Sequence, residues 1–451
     1  MRDVLIFGVL LGSLPFILMR PWLGIIMWAL ISYMNPHRLT WGAAYTFPFA
    51  QYIGIATLAS LLISRDPKKI IGGGVAVLWL LLVAWWSVTY AFALDREAAG
   101  PLWEQTLKVQ LFAFLTVVVL QGRFKIDALV YTIVISLGFY AARGAIFALL
   151  SGAQYRVWGP ADSYIEDNNA LAVALLMTVP LMRYLQLTSK AKWIRWGMAA
   201  GMAGAGLSVL ASQSRGALLA GSGMLLLLWL KSRHKLGLAF AIAVCVPMLL
   251  AFMPEKWYDR MHTIQTYEQD RSALGRISAW KFAVNMANER FAGGGFLAFN
   301  QANYERFAPD VATQVRATDG RYQGAHSIYF QLLGEHGYVG LGLFLLLGIA
   351  TWRALTQAVR LSRDREETFW IRDLASMLQV SLVPYAIGGA FLNLAYFDLP
   401  YHIVALAILL RYEARKASAE ARAKRVGIAP PAGGRAVEGG STDLPVAAPR
   451  P

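Results

Sequence analysis

The chain of 451 residues holds one cysteine, Cys245, so no disulfide can form within it, and any loop leaving the apolar body is ordered by packing. Charged residues are scarce at 15%, too few to clothe an ordinary water-soluble surface. Acids are scarcer still, 27 against 42 Lys and Arg. No fixed-period repeat, nucleotide-binding fold or nucleic-acid module is present, and the net charge of +15 resides largely in short loops and a C-terminal tail suited to anionic lipid headgroups. What fills the chain instead is apolar: 57% of residues are hydrophobic and the mean hydropathy is +0.45. The composition predicts an all-α, polytopic membrane protein.

Apolar stretches lie near residues 3–34, 48–63, 71–92, 104–121, 126–150, 169–187, 193–211, 213–230, 236–253, 327–352, 374–393 and 400–414. A hydrocarbon core needs about 20 helical residues. The first stretch has no small-residue cleavage site and reads as a retained span. Basic clusters at Arg65/Lys68/Lys69, Arg123/Lys125, Lys190/Lys192/Arg195, Lys231/Arg233/Lys235 and Arg353 to Arg372 mark the cytoplasmic side. Parity is satisfied if residues 3–34 form one long span kinked at Arg20-Pro21, giving about 12 transmembrane helices with both termini cytoplasmic. Two short spans there would give thirteen and put the N-terminus outside.

This topology predicts four regions: transmembrane helices 1–9 in residues 1–253, a mainly helical periplasmic cap in 254–325, three more helices in 326–415, and a disordered cytoplasmic tail in 416–451. Within the cap, helices are expected at about 272–290 and 298–307. Gly-rich stretches at 71–74, 200–206 and 219–223 read as close helix packing.

Three polar groups from separate segments reach the outer boundary in this layout. Arg215 sits in the turn Ser212-Gln-Ser-Arg-Gly216, Arg276 begins Gly-Arg-x-x-x-Trp280, and His326 opens an apolar helix. A guanidinium offers a planar fork of donors to phosphate oxygens, so two can hold a diphosphate and stabilise charge growing on it. An imidazole near its ordinary pKa can accept a hydroxyl proton.

Plainer readings stand beside these. An interfacial Arg can be a headgroup anchor, and a His at a helix start can be a cap. Glu335-His336-Gly337 reads as a packing or kink site. Arg143, two turns inside span 126–150, is expected to face a polar cavity. Arg156, Asn168 and Asn169 lie around the start of span 169–187 and could orient sugar hydroxyls, with capping by Asp167 or Asn168 the simpler account.

Residues 160–350 carry Asp167-Asn-Asn-Ala-Leu-Ala172 leading to Pro180, then Ser214-Arg-Gly216, Gly275-Arg276 to Trp280, Gly293-Gly-Gly-Phe296 with Asn300, and His326 to Gly340. In this order and spacing they resemble the O-antigen ligase and polymerase superfamily. Arg20-Pro-Trp22 and Met34-Asn-Pro-His-Arg-Leu-Thr-Trp41 resemble its O-glycosylation ligase subgroup. The resemblance implies transfer of a glycan from undecaprenyl diphosphate to an acceptor at the periplasmic face of a Gram-negative inner membrane. The acceptor is expected to be the lipid A core oligosaccharide in an O-antigen ligase, and a growing glycan or a protein in its relatives. By the same resemblance Arg215 and Arg276 are the diphosphate-binding arginines and His326 is the essential histidine. The expected reaction is inverting, with no metal and no cofactor. Ser327 departs from the pattern, because many members have Asn there. Two other classes remain open: a metal-dependent glycosyltransferase using Asp95 and Glu97, and a lipid-linked glycan flippase with Arg143 on its path.

Overall fold

The computed structural model describes residues 2–232, 234–255, 257–258, 271–318 and 322–426. Every regular element among them is helical, as an apolar chain in lipid requires, because a helix satisfies its backbone groups within one segment. Among the described residues, seven helices are long and apolar enough to cross a membrane, and three shorter ones are apolar. The protein is a multi-pass membrane protein.

The bundle has two chemically distinct ends. At one, the basic clusters gather: Gln121 donates to the Lys69 carbonyl at 2.9 Å, Gln186 to that of Arg195 at 3.2 Å, and the Arg123 guanidinium lies over the Trp370 ring. Lys231 donates to Gln379, and Arg365 to the carbonyl of Ala417. At the other end Arg38 pairs with Asp162 at 3.1 Å, and Asn168 donates to the Ser212 carbonyl at 2.7 Å.

The N-terminal stretch differs from the single kinked span expected of it. Helices α1 (Arg2–Gly12) and α2 (Leu14–Met19) run together toward the basic end, the chain reverses at Arg20, and α3 (Pro21–Met34) returns. The Asp3 carboxylate therefore accepts from Ala44 N–H at 3.0 Å, while Ser60 reaches the Leu18 carbonyl at the opposite end of α4 (Phe49–Ile63). The cause is local. Pro21 supplies no N–H to the ladder and forces Arg20 into an extended conformation, φ −138° and ψ 97°, which permits reversal. Asp3 thus lies at the end opposite Tyr412, whose hydroxyl accepts from Lys69, so the described termini do not share a face.

Helices α5 (Gly74–Ala91), α6 (Arg96–Val119), α7 (Arg123–Leu150), α8 (Asn168–Thr188), α9 (Lys192–Ala211), α10 (Arg215–Lys231) and α11 (Lys235–Ala251) alternate in direction. A layer of three short helices follows: α12 (Arg271–Glu289), α13 (Gln301–Phe307) and α14 (Pro309–Thr318). The first two lie where sequence places them, and the third is additional. The layer has its own apolar core of Phe282, Met286, Tyr304, Phe307 and Val311. The chain closes with α15 (Ile328–Leu361), α16 (Phe369–Gly388) and α17 (Asp398–Val426). Helix α17 runs past residue 416, where sequence begins a disordered tail. The rest of that tail, 427–451, lies outside the described residues, as do 259–270 and 319–321 of the expected cap.

The layer is fastened to a break in α15. Gly337 has φ 65° and ψ −172°, and a Cβ there would lie 2.2 Å from the Phe291 carbonyl oxygen, so only glycine fits. Carbonyls just before the break accept from the layer instead of the helix: Gly334 from Gly294 N–H and Glu335 from Gly295 N–H, both at 2.9 Å. His336, fully buried, is hydrogen-bonded to Thr89 and Tyr396 at 2.6 Å each, and Tyr396 donates to the Glu335 carboxylate. The reading of Glu335-His336-Gly337 as a packing and kink site agrees with this.

Candidate functional site

At the end opposite the basic clusters, α12 lies against the segment that leads into α15. Trp280 Nε1 donates to the Ala325 carbonyl at 2.9 Å, and its ring stacks on Phe330 with centroids 4.8 Å apart. Arg276 is one turn earlier on the same helical face, which is what the spacing Gly-Arg-x-x-x-Trp achieves. A Cβ at Gly275 would meet the end of the Gln323 side chain at 2.5 Å, so the two segments approach closely there.

His326 does not open the helix as expected but stands two residues before it. Its φ is 42°, a left-handed conformation that few non-glycine residues hold. Ser327 is the N-cap of α15, its hydroxyl facing Phe330 N–H at 3.5 Å. Asn and Ser are about equally good caps, so Ser327 can fill the capping role that Asn would have here. The half-buried His326 imidazole has a pKa held below its ordinary value. Burial is the main cause, the nearby Arg276 charge adds to it, and Asp167 opposes it.

Arg215 is the first residue of α10. The turn before it is tight because Gln213 adopts φ 56°, and the Ser214 hydroxyl caps the helix by accepting from Ala217 N–H at 3.1 Å. Asn168 holds the same turn through Ser212. Gly216 next to it packs on Phe391, and Gly389 close by packs on Ile328 at the start of α15. A cation at a helix N-terminus opposes the helix dipole and is stabilised there by an anion.

The structure therefore gathers the segments of Arg276, His326 and Asp167, with the Arg215 turn joined to them through Asn168, Phe391 and Ile328. Asp167 caps α8, accepting from Asn169 and Ala170 N–H, and also contributes to the field at His326. Asn168 is buried against the Arg215 turn, Asn169 donates to Asp167 at 2.9 Å, and Arg156 is half-buried in the preceding loop. Arg143 is an exposed residue of α7 whose electrostatic neighbour is Tyr140. Asp95 is the N-cap of α6, accepting from Ala98 N–H at 3.0 Å. Among the described residues no three His, Cys, Asp or Glu side chains are grouped to hold a metal ion.

Sequence reasoning missed a cavity of about 930 Å³ next to this site, lined by both apolar and polar side chains. Its lining comes from α6, the helical layer, α15 and the segment 393–396, and no sequence spacing joins them.

Helices that traverse a bilayer, with charged and polar side chains gathered at one set of their ends, define an integral membrane protein. Residues 199–345, which include Arg215, Arg276 and His326, match the family model described as O-antigen ligase, and residues 1–190 match one described as a family of unknown function. The chain belongs to the O-antigen ligase superfamily. No match is found among curated proteins.

Proposed function

We propose that the protein is an O-antigen ligase that moves a polysaccharide from undecaprenyl diphosphate to the lipid A core oligosaccharide, at the periplasmic face of a Gram-negative inner membrane. The observation that carries this is the meeting of the Arg276 and His326 segments beside the α10 N-terminus, inside the matched region. The acceptor hydroxyl oxygen attacks the anomeric carbon from the face opposite the leaving group. Its proton passes to His326. The bond from that carbon to the diphosphate oxygen breaks, its electron pair stays on the diphosphate, and Arg215 and Arg276 stabilise the charge. The configuration inverts, and no metal takes part. With the basic end cytoplasmic, the passages α1–α2, α3 to α11, and α15 to α17 cross the membrane thirteen times, placing Asp3 and the helical layer in the periplasm.

The test is reconstituted protein given lipid-linked glycan with either lipid A core or a pilin-like protein, with and without a strong chelator. Product on the lipid A core that survives the chelator is expected. Product on protein alone would assign the chain to O-glycosylation, and activity restored only by Mn or Mg would assign it to the metal-dependent class. Glycan movement with no product on any acceptor would leave a flippase.

A base that must be neutral gives an acidic limb to the rate profile at its pKa. Asp167→Asn keeps the cap but removes an attraction that favours the protonated imidazole, so the pKa falls and the limb moves to lower pH. Arg276→Gln removes a repulsion and moves it to higher pH. Shifts in the same direction, or no shift, would detach the limb from His326.

A further inference from the structure

The cavity of about 930 Å³ lies within the upper range of ligand pockets, roughly 300–1,000 Å³. Gly324 and Ala325, immediately before His326, form part of its wall, whereas Arg215 and Arg276 are not among its described lining residues. The site thus has two sides, one holding the cations suited to a diphosphate and one holding this chamber. On the transfer proposed above, a group passing His326 leaves the first side and arrives at the second.

The chamber's chemistry is that of a saccharide site. The exposed Asn393 presents an amide that can donate and accept toward neighbouring hydroxyls, Asn300 and Gln331 use theirs to fix the wall through Leu297, Asn303 and Ala395, and Phe299 and Tyr164 supply aromatic surface. The inner wall is Glu335, 3% exposed, with Tyr396 donating to its carboxylate. Glu335 and Tyr396 thus close one side of what is otherwise an open cleft. The rim is acidic. Asp95 and Glu97 are exposed there, Glu97 makes no hydrogen bond or ion pair among the described residues, and Arg96, the one cation among the described lining residues, lies over the Tyr90 ring at 5.2 Å.

We infer that this cavity receives the terminal sugar of the acceptor, and that its acidic rim selects neutral or amine-bearing sugars over sugars carrying phosphate or carboxylate. The inference rests on the glycosyl transfer proposed above. It adds a location and a charge preference that the reaction itself does not require.

Two measurements test it separately from that reading. In transfer assays with soluble acceptor glycans of equal length, the acceptor KM is expected to be at least about tenfold lower for neutral or amine-bearing glycans than for phosphorylated or uronate-bearing ones. The Asp95→Asn/Glu97→Gln variant should shrink that ratio to about threefold or less, with the change confined to the acceptor KM. Equal KM values across the series, or a preference for the acidic glycans, would overturn the inference and leave the transfer reaction standing. The second measurement needs no turnover. In a Cys245→Ser background, maleimide labelling of Asn393→Cys is expected to slow several-fold when a neutral glycan is added without donor. Protection by a pilin-like peptide alone, or by neither ligand, refutes the chamber. Protection by glycan in a protein that makes no product retains the chamber and removes the proposed reaction.

Discussion

Replacing His326 with alanine is expected to slow transfer by roughly 10²- to 10⁴-fold, the range that a positioned general base supplies. The protein should still reach the membrane folded. The imidazole is half-buried, and its interactions are electrostatic, with Arg276 and Asp167, so its loss opens no hydrogen-bond network in the core. The contrast is His336, ten residues on. There alanine removes two hydrogen bonds at a fully buried position, each worth about 0.5–1.5 kcal/mol, and leaves a cavity in place of the imidazole, while Thr89 and Tyr396 keep their bonds to the Trp86 carbonyl and the Glu335 carboxylate. The two substitutions should separate cleanly. His326→Ala lowers single-turnover rate with little change in melting temperature or yield, and His336→Ala lowers melting temperature and yield. Near-normal turnover in folded His326→Ala protein would remove this residue from the chemistry. Donor binding provides a further check, since a base that acts on the acceptor contributes little to holding the diphosphate.

Much of this was legible in the chain because lipid imposes simple rules. Apolar runs separated by basic clusters mark helices and their shared end, and those clusters do meet in space. The hairpin at Arg20 was harder to read. Pro21 signals a break, but a kink and a reversal have the same sequence signature, and only packing of α2 and α3 side by side on α4, at Ser60 and Thr57, decides between them. The spacing from Arg276 to Trp280 was a motif without a reason until Trp280 was seen to hold the Ala325 carbonyl. Sequence sets His326 at the helix start because its offset of two positions from Ile328 is finer than periodicity resolves, and its left-handed φ leaves no trace in composition. The chamber beyond it was illegible for a different cause. Asp95, Asn300, Glu335 and Asn393 are far apart in the chain and become neighbours only because the break at Gly337 docks the helical layer onto α15.

The second large effect concerns the guanidinium groups. Arg215→Lys keeps the charge but is expected to slow transfer by roughly 10²- to 10³-fold, the loss usual when one preorganised donor to a developing anion is removed. Lysine offers a strongly hydrated point charge, whereas arginine presents a planar fork that engages two oxygens together. Position amplifies the difference. Arg215 begins α10, where the helix dipole repels any cation, so an arginine there is best satisfied when an anion is bound. If its fork stabilises charge that grows as the diphosphate leaves, the loss appears in kcat as well as in the donor KM. Interaction with a charge already present in the ground state would alter KM alone. Arg276→Lys should behave likewise, and the pair should be strongly non-additive, because two forks on one diphosphate act as a unit. A lysine enzyme that turns over normally would show that attraction by charge is sufficient. The site would then need only two cations beside His326, and the Ser214 cap, the left-handed Gln213 and the Asn168 bond to Ser212 would serve helix packing rather than the aim of a guanidinium.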